Sequence, residues 1–591
     1  MPASGRAPKQ SEGSPGAQRA TTPSPAPSEQ ALQRTILAAT LVAAVLRCFR
    51  LGHQSLWVDE QITRVAAGIP GPLAWRDLLQ DVHGPLHTLA VAGAAALGGD
   101  AEWVLRLPSA IAGVAMVPAM AWLATRWLGR AAVPATVWVT AGSPFLVWYS
   151  QECRNYEFLM LAATLATASL LSLHDRVTPL RTGRYALCVI AGLLSNLSFT
   201  LLIPFHAALW LSPGVTRATR IRTLRIVGVV ALVALLIPFH AALWLAPGVT
   251  RGARLRAVRI VSLVTVLAVL PWLPAIVSTW DWSRLSPGRH AESDEAALRG
   301  LTTNHFAAVP FAVHTALMGY SGGPSLRELR RGPMAAVRAH LPELAVSTLV
   351  FGVLGVLGCM ALRRRGRLVD LAWWAVAPTV VVSYLAAQNF KVFNPRYLAV
   401  SVPAVLLTVA AAFTDLGPRM RRVFAVAVGL LWALALGRSA FDPAYGREDY
   451  RNAMAHVRSE FRPGERVIAL GAFDPVDWYG RGMPVVRWWL GYANDPERMA
   501  RTLTDTLMVT PGAWVVGSRM EDLDPEDRCA RWLDERVQPS QRWAARGVRV
   551  WHWRRPRPAP PPVYGPPRPA RVGPPAHAKT TPHRAVTKAA H

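Results

Sequence analysis

The chain has 591 residues, 52% of them apolar and only 17% charged, which is too oily for a soluble protein of this size. A formal net charge of +28 invites a nucleic-acid reading. The basic residues instead sit in short clusters between apolar blocks, without a zinc finger, RNA-binding motif or basic zipper, and nucleic acid is set aside as a partner.

The apolar blocks 34–47, 107–122, 131–149, 156–173, 258–279, 344–362, 371–387, 398–414 and 423–437 carry few or no charges. Each is about 15–22 residues long, which at about 1.5 Å per helical residue suits a hydrocarbon layer of roughly 30 Å. About ten such blocks in series predict a polytopic membrane protein. The clusters Arg176/Arg181/Arg184, Arg217/Arg220/Arg222/Arg225, Arg363/Arg364/Arg365/Arg367 and Arg419/Arg421/Arg422 read as cytoplasmic loops by the positive-inside rule. Five scattered cysteines form no CxxC pair and no disulfide framework.

In chain order, residues 1–33 read as a disordered, cytoplasmic tail rich in Pro, Ser, Ala and Gln. Block 34–51 crosses outward as a retained first span. Residues 52–104 then lie outside, with 86–98 as a short helix at the membrane surface. Block 105–127 returns, 131–149 goes out, and 156–173 comes back to a basic loop. The segment 201–217 (LLIPFHAALWLSPGVTR) recurs at 235–251 with one change, Ser212 for Ala246, as expected for a local duplication. Whether 225–248 crosses once or turns back stays open. His206 and His240, at equivalent places in the copies, read as packing residues.

Block 258–279 rises outward and residues 280–340 follow as a long polar outer loop. Blocks 341–362 and 369–387 form a hairpin. KVFNPRY (391–397) lies outside before the last two blocks, so the transmembrane unit runs over 34–440. Residues 441–555 alternate helical patterns with strand-like runs (Val467–Leu470, Pro484–Trp488, Trp514–Val516, Val548–Trp553), predicting a small extracytoplasmic α/β domain. The tail 556–591 is Pro-rich and basic, and reads as disordered. The fold class is therefore mainly α: a polytopic helix bundle with a small C-terminal α/β domain.

This topology carries three separated polar groups to the outer face: Trp57-Val58-Asp59-Glu60 with Asp81-Val82-His83-Gly84-Pro85-Leu86, then Ser150-Gln151-Glu152-Cys153-Arg154-Asn155-Tyr156, then Lys391 through Tyr397. Carboxylates beside hydrocarbon are costly to desolvate, which makes them functional candidates. SLWVDEQITRVAAG, DVHGPL, EWVLRLPSAIAG and SPFLVWYSQECRNYEF resemble C-type, polyprenyl-phosphate-dependent glycosyltransferases. The likeness is to the kind related to protein O-mannosyltransferases and to aminoarabinose and galacturonic acid transferases (glycosyltransferase family 39-like). The order and rough spacing of the motifs match over 50–175, and NPRY at 394–397 resembles a late Arg-Tyr site. Gly84 departs from the usual first proline of the D-x-H-P-P-L turn.

The resemblance implies transfer of a mannose-like or arabinose-like sugar from a polyprenyl-phosphate donor to an acceptor hydroxyl, with inversion, on the extracytoplasmic face. Asp59 fits the base, Glu60 acceptor orientation, and Glu152 a second carboxylate that positions acceptor or sugar. Arg154 and Arg396, with Lys391 as helper, suit the leaving phosphate. Tyr156 and Tyr397 fit ligand contacts or an interfacial belt. A lipid-phosphate donor leaves as a monoester, so no metal is required, although His83 near Asp59 and Glu152 leaves room for a divalent cation. The acceptor is a glycan, a lipid or a protein, and membrane lipids surround the bundle. Rival readings are a transporter or flippase of lipid-linked sugars and an inactive scaffold.

Overall fold

The computed structural model describes residues 28–71, 73, 84–175, 178–211, 307–387, 393–488, 504–505, 512–520, 527–536 and 542–554. Among these, seven helices are long and apolar enough to cross a membrane: Glu29–Cys48, Glu102–Trp127, Tyr156–Leu173, Leu341–Arg364, Leu368–Ala387, Pro395–Asp415 and Pro418–Phe441. The pair Arg130–Gly142 and Pro144–Ser150, bent by 52°, supplies an eighth if taken as one span. Of the remaining expectations, block 258–279, the second repeat copy at 235–251, the segment 225–248 with His240, and residues 1–27 and 556–591 lie outside the described residues.

The bend has a local cause. Pro144 has no N–H to bond the Thr140 carbonyl, and dry surroundings offer no water in its place. The fully buried Arg47 of the first span fills the gap, donating from Nη2 to Thr140 O at 3.2 Å and from Nη1 to Ala141 O at 3.0 Å. Gly113 makes room, because a Cβ there would lie 2.0 Å from Ser150 Oγ and 2.8 Å from Arg47 Nε. The break turns Pro144–Ser150 so that it delivers residues 151–155 to one end of the bundle.

That end is opposite the basic one. Arg130 pairs with Glu29 at 3.1 Å, Arg126 and Arg181 pair with Asp175, and Arg364 and Arg365 reach Asp415 at 3.1 and 3.2 Å. These pairs join the ends of spans next to the arginine-rich loops. The other end carries helix Val58–Ala66, the loop 151–155 and the 3-10 turn Pro395–Ser401 that opens a span. Segment 86–98 forms the helix Pro85–Gly98, packed on Glu102–Trp127; at 14 residues it is too short to cross.

The expected polar loop 280–340 needs correction where it is described. Residues 307–340 form three helices, Ala308–Met318, Leu326–Arg331 and Pro333–Ala339. The first, AVPFAVHTALM, carries no Asp, Glu, Lys or Arg, and it packs against Pro144–Ser150 and Pro395–Ser401 instead of facing water.

Five strands, β1 Arg466–Leu470, β2 Val485–Trp488, β3 Gly512–Ser518, β4 Arg542–Ala545 and β5 Val548–Arg554, form one sheet in the order β2-β1-β3-β5-β4. β1 runs parallel to β2 and β3, while β5 is antiparallel to β3 and β4. Helix Phe473–Tyr479 makes the β1–β2 crossover, as parallel pairing requires. β3 is buried along its whole length, as expected of a central strand covered on both faces. β4 has no counterpart among the strand-like runs; RWAA is short and lies at the sheet edge. Its two-residue turn to β5 places Gly547 at φ 68, a left-handed conformation that favours glycine.

The sheet unit is fastened to the loop after the first span. Ser55 Oγ donates to Glu448 O at 2.7 Å and accepts Tyr450 N–H at 3.1 Å. Tyr479 Oη accepts Leu56 N–H at 2.7 Å and donates to Glu102 at 3.0 Å. Arg64 and Arg481 both lie against the Trp478 ring. The chain is thus a helix bundle with a small mixed α/β sheet, and the two meet where the polar groups gather.

Candidate functional site

Trp57, in extended backbone, precedes helix Val58–Ala66, and Glu60 in its first turn accepts the Trp57 N–H at 3.4 Å. Asp59 and Glu60 therefore sit at a helix N-terminus, where the peptide dipoles favour negative charge. Neighbouring positions on a helix point about 100° apart, and the two carboxylates face different spans.

Glu60 faces Glu102–Trp127. Its Oε1 accepts from Arg106 Nε at 2.7 Å and from Cys153 N at 2.8 Å, and its Oε2 accepts from Arg106 Nη2 at 2.7 Å. Arg106 gives its other donors to the carbonyls of Leu51, Gln54 and Ser55 at 2.8–3.1 Å. The pair is fully buried and staples the loop after the first span. Burial alone would raise the Glu60 pKa, but the Arg106 and Arg447 guanidiniums and the hydrogen bonds from Arg106 and Cys153 hold it below the usual carboxylate range.

Asp59 faces Pro395–Asp415. Its Oδ2 accepts from Arg396 Nη1, and its backbone carbonyl accepts from Arg154 Nη1 at 3.1 Å. Arg154 also donates to Thr63 Oγ1 at 3.2 Å. Arg396 owes its place to Asn394, whose side chain accepts the Arg396 N–H at 3.1 Å and starts the 3-10 turn. Its guanidinium lies 6.0 Å from the Tyr156 ring centre and 5.5 Å from that of Tyr397, within cation–π range.

Glu152 is 2% exposed, and its Oε1 lies 3.3 Å from Arg447 Nη2. Burial pushes its carboxyl up to about 7; Arg447 opposes that shift, and the charges of Glu60 and Asp59 add to it. Arg447 is also 3.5 Å from Glu60, donates to Gln151 O at 3.3 Å, and lies 4.9 Å from the Trp148 ring centre. Three buried carboxylates thus share one region with four buried guanidiniums, those of Arg106, Arg154, Arg396 and Arg447, an excess of positive charge suited to an oxyanion.

Of the nine candidates, the structure brings together Asp59, Glu60, Glu152, Arg154, Tyr156, Arg396 and Tyr397. His83 and Lys391 lie outside the described residues. Among the described residues no three His, Cys, Asp or Glu side chains group as a metal site. Two members of the cluster escaped the sequence reading. Arg106 stands inside the R-L-P-S run of an apolar span, where nothing local marks it as the partner of Glu60. Arg447 precedes the sheet, far along the chain from the other motifs, and no local pattern marks it. Gly84 is explained by contact: a Cβ there would fall 2.1 Å from Leu194 O, so this turn has no space for the expected proline.

No protein-family model matches the sequence, and no curated protein matches it either. Among solved structures, ArnT from Cupriavidus metallidurans bound to undecaprenyl phosphate is similar with a TM-score of 0.48 at 14% identity, covering 88% of this chain and 97% of that one. The Archaeoglobus fulgidus oligosaccharyltransferase in complex with Zn and sulfate is similar with a TM-score of 0.46 at 14% identity, covering 84% of this chain and 69% of that one. The same oligosaccharyltransferase tethered to an acceptor peptide gives 0.47 at 13% identity, covering 85% and 71%.

Proposed function

We propose that this chain is a membrane glycosyltransferase that moves a mannose-like or arabinose-like sugar from a polyprenyl-phosphate donor to an acceptor hydroxyl on a glycan, lipid or protein. The observation that carries the reading is the meeting of Asp59 and Arg396, 337 residues apart in sequence, at the end of the bundle away from the arginine-rich loops. The positive-inside rule puts that end on the extracytoplasmic side.

In the proposed reaction the donor phosphate takes hydrogen bonds from Arg396 and Arg154, as guanidinium forks do with phosphate oxygens. Competition for Arg396 loosens its hold on Asp59, so donor binding itself readies the base. Asp59 then takes the proton of the acceptor hydroxyl as the acceptor oxygen bonds to the anomeric carbon. The bond from that carbon to the phosphate oxygen breaks, the electron pair leaves with polyprenyl phosphate, and the guanidiniums stabilise the charge that develops there. A single displacement inverts the anomeric centre. Glu152 positions the acceptor or the sugar. Glu60, engaged by Arg106, holds the loop that presents Asp59, and a divalent cation with His83 is compatible with the scheme.

The test is to incubate the purified full-length protein with a panel of labelled polyprenyl-phosphate sugars, beside Asp59→Asn. Release or transfer of one sugar by the parent, and loss by about 10²–10⁴-fold in the variant with donor binding retained, is expected. Intact folding without turnover of any donor overturns the proposal.

A further inference from the structure

The guanidinium of Arg154 points toward Asp59 O and Thr63 Oγ1, and the other end of the same residue is held by its backbone. Arg154 O accepts from Ser109 Oγ at 3.1 Å. Ser109 is fully buried in the span Glu102–Trp127. A serine hydroxyl inside a helix commonly turns back to the carbonyl four residues before it. Here its single proton is given to the loop 151–155 instead, which leaves Ser109 Oγ open as an acceptor.

His87 fills that acceptor, with Nε2 at 3.0 Å from Ser109 Oγ. The hydroxyl proton is already spent on a carbonyl, so Nε2 must carry a hydrogen and donate it. The imidazole is 1% exposed and meets the Phe158 ring edge-on at 5.2 Å. Burial holds its pKa down to about 3; the Arg154 charge adds to that shift and Glu60 opposes it. The ring is therefore a neutral donor that sets no second cation beside Arg154.

The helix Pro85–Gly98 that carries His87 is pinned where it starts. Leu86 N donates to Leu194 O at 2.9 Å, and Gly84 lies against the same backbone. Donation from His87 polarises the Ser109 hydroxyl and strengthens its bond to Arg154 O, as in any chain of hydrogen bonds in a dry interior.

We propose that His87 is a positioning residue for the transfer reaction, acting through Ser109 on the backbone of Arg154 and so fixing where its guanidinium meets the donor phosphate. The assignment rests on the transferase reading above.

The experiment uses the full-length protein in nanodiscs and compares the parent with His87→Phe, His87→Gln, Ser109→Ala and the double variant His87→Phe, Ser109→Ala. Phenylalanine keeps a ring against Phe158 but has no donor. Glutamine gives up the ring and returns an N–H near the place of Nε2. Binding of decaprenyl phosphate, a sugar-free polyprenyl phosphate, is measured beside turnover of the active labelled donor. His87→Phe is expected to weaken that binding and raise the donor KM about five- to tenfold, the scale of one buried hydrogen bond, with its thermal midpoint at the parent value. His87→Gln is expected to recover most of the loss. In the Ser109→Ala background, His87→Phe is expected to add nothing further, because the two act in series. Nitrogen-15 spectra of histidine-labelled protein, assigned with His87→Gln, are expected to show a neutral, Nε2-protonated ring.

An unchanged donor KM in His87→Phe, a glutamine variant worse than the phenylalanine one, additive effects in the double variant, or an Nδ1-protonated ring each overturns the proposal. Where His87→Phe does not fold, Ser109→Ala and the spectrum decide, and parent-like binding in Ser109→Ala overturns it. A parent that turns over no sugar, with decaprenyl phosphate bound more weakly by His87→Phe, defeats the transferase reading and leaves the hold on Arg154 standing. Turnover by the parent that His87→Phe leaves unchanged does the reverse.

Discussion

Arg447 and Glu152 lie 3.3 Å apart, one from the segment entering the sheet and the other from the turn between two spans. This contact brings a cation from the far end of the chain onto a carboxylate whose burial gives the site a pH dependence that the cation moderates. Burial raises the Glu152 carboxyl to about 7, so the group gains a proton as pH falls through that value. A carboxylate that orients a hydroxyl or a sugar acts in its ionised form. Turnover is therefore expected to fall on the acid side of about pH 7, and Arg447→Met to move that limb alkaline by about one unit or more. A pH profile of kcat checks both, and an unmoved limb in the variant would refute the coupling. The stability sign is opposite: the folded chain binds this proton more tightly than the unfolded one, so the group's contribution declines between the ordinary value of 4.5 and about 7.

Glu60 behaves the other way. Its carboxyl is held below the ordinary range once Arg106 outweighs burial, so its stabilisation is present above the ordinary pKa and is lost as pH falls through the depressed one. Glu60→Gln and Arg106→Leu each leave one buried partner of a hydrogen-bonded pair, at a cost of about 3–5 kcal/mol. Thermal unfolding in detergent measures this. A variant that unfolds with the parent would show that the loop after the first span is held by something else.

Arg47 and Pro144 form a compensating pair. Arg47→Leu removes the donors to Thr140 and Ala141, and is expected to destabilise by about 2–4 kcal/mol. Pro144→Ala restores an N–H for the Thr140 carbonyl, so the double variant is expected to be more stable than the sum of the singles by about 1 kcal/mol. Strict additivity in the cycle would mean that the arginine does not stand in for the missing N–H.

Two glycines of one region give opposite expectations. Gly84→Ala sets a Cβ against the Leu194 backbone, where an added side chain has closest atoms at 2.1–2.6 Å, and is expected to cost about 3 kcal/mol. Gly93, within helix Pro85–Gly98, has nothing within 4 Å of its Cβ position. Gly93→Ala should stabilise by about 0.5–1 kcal/mol, since alanine favours the helix. Paired unfolding measurements decide, and equal effects would contradict the close approach at Leu194.

The class of fold is legible in the residues alone, because the length and apolarity of a span are local properties fixed by bilayer thickness and helical rise. The alternation of apolar blocks and arginine clusters also places Asp59, Glu152 and Arg396 on one face. Strand positions in the last third followed from β-branched and aromatic runs, except for β4, where RWAA has no alternation to read. The helix Ala308–Met318 is hidden because its 11 residues are too few to stand out as a span within a longer polar stretch.

Which charge faces which is set by the packing of the folded chain. Asp59 and Glu60 are adjacent in sequence and equivalent in composition, yet one meets Arg396 and the other Arg106, since neighbouring side chains on a helix diverge and the neighbouring spans supply different partners. Arg447 joined them by way of packing between sheet and bundle. Pairing energy in a dry interior depends on distances of a few ångströms, and those distances are set by the packing of segments hundreds of residues apart, which no local pattern encodes.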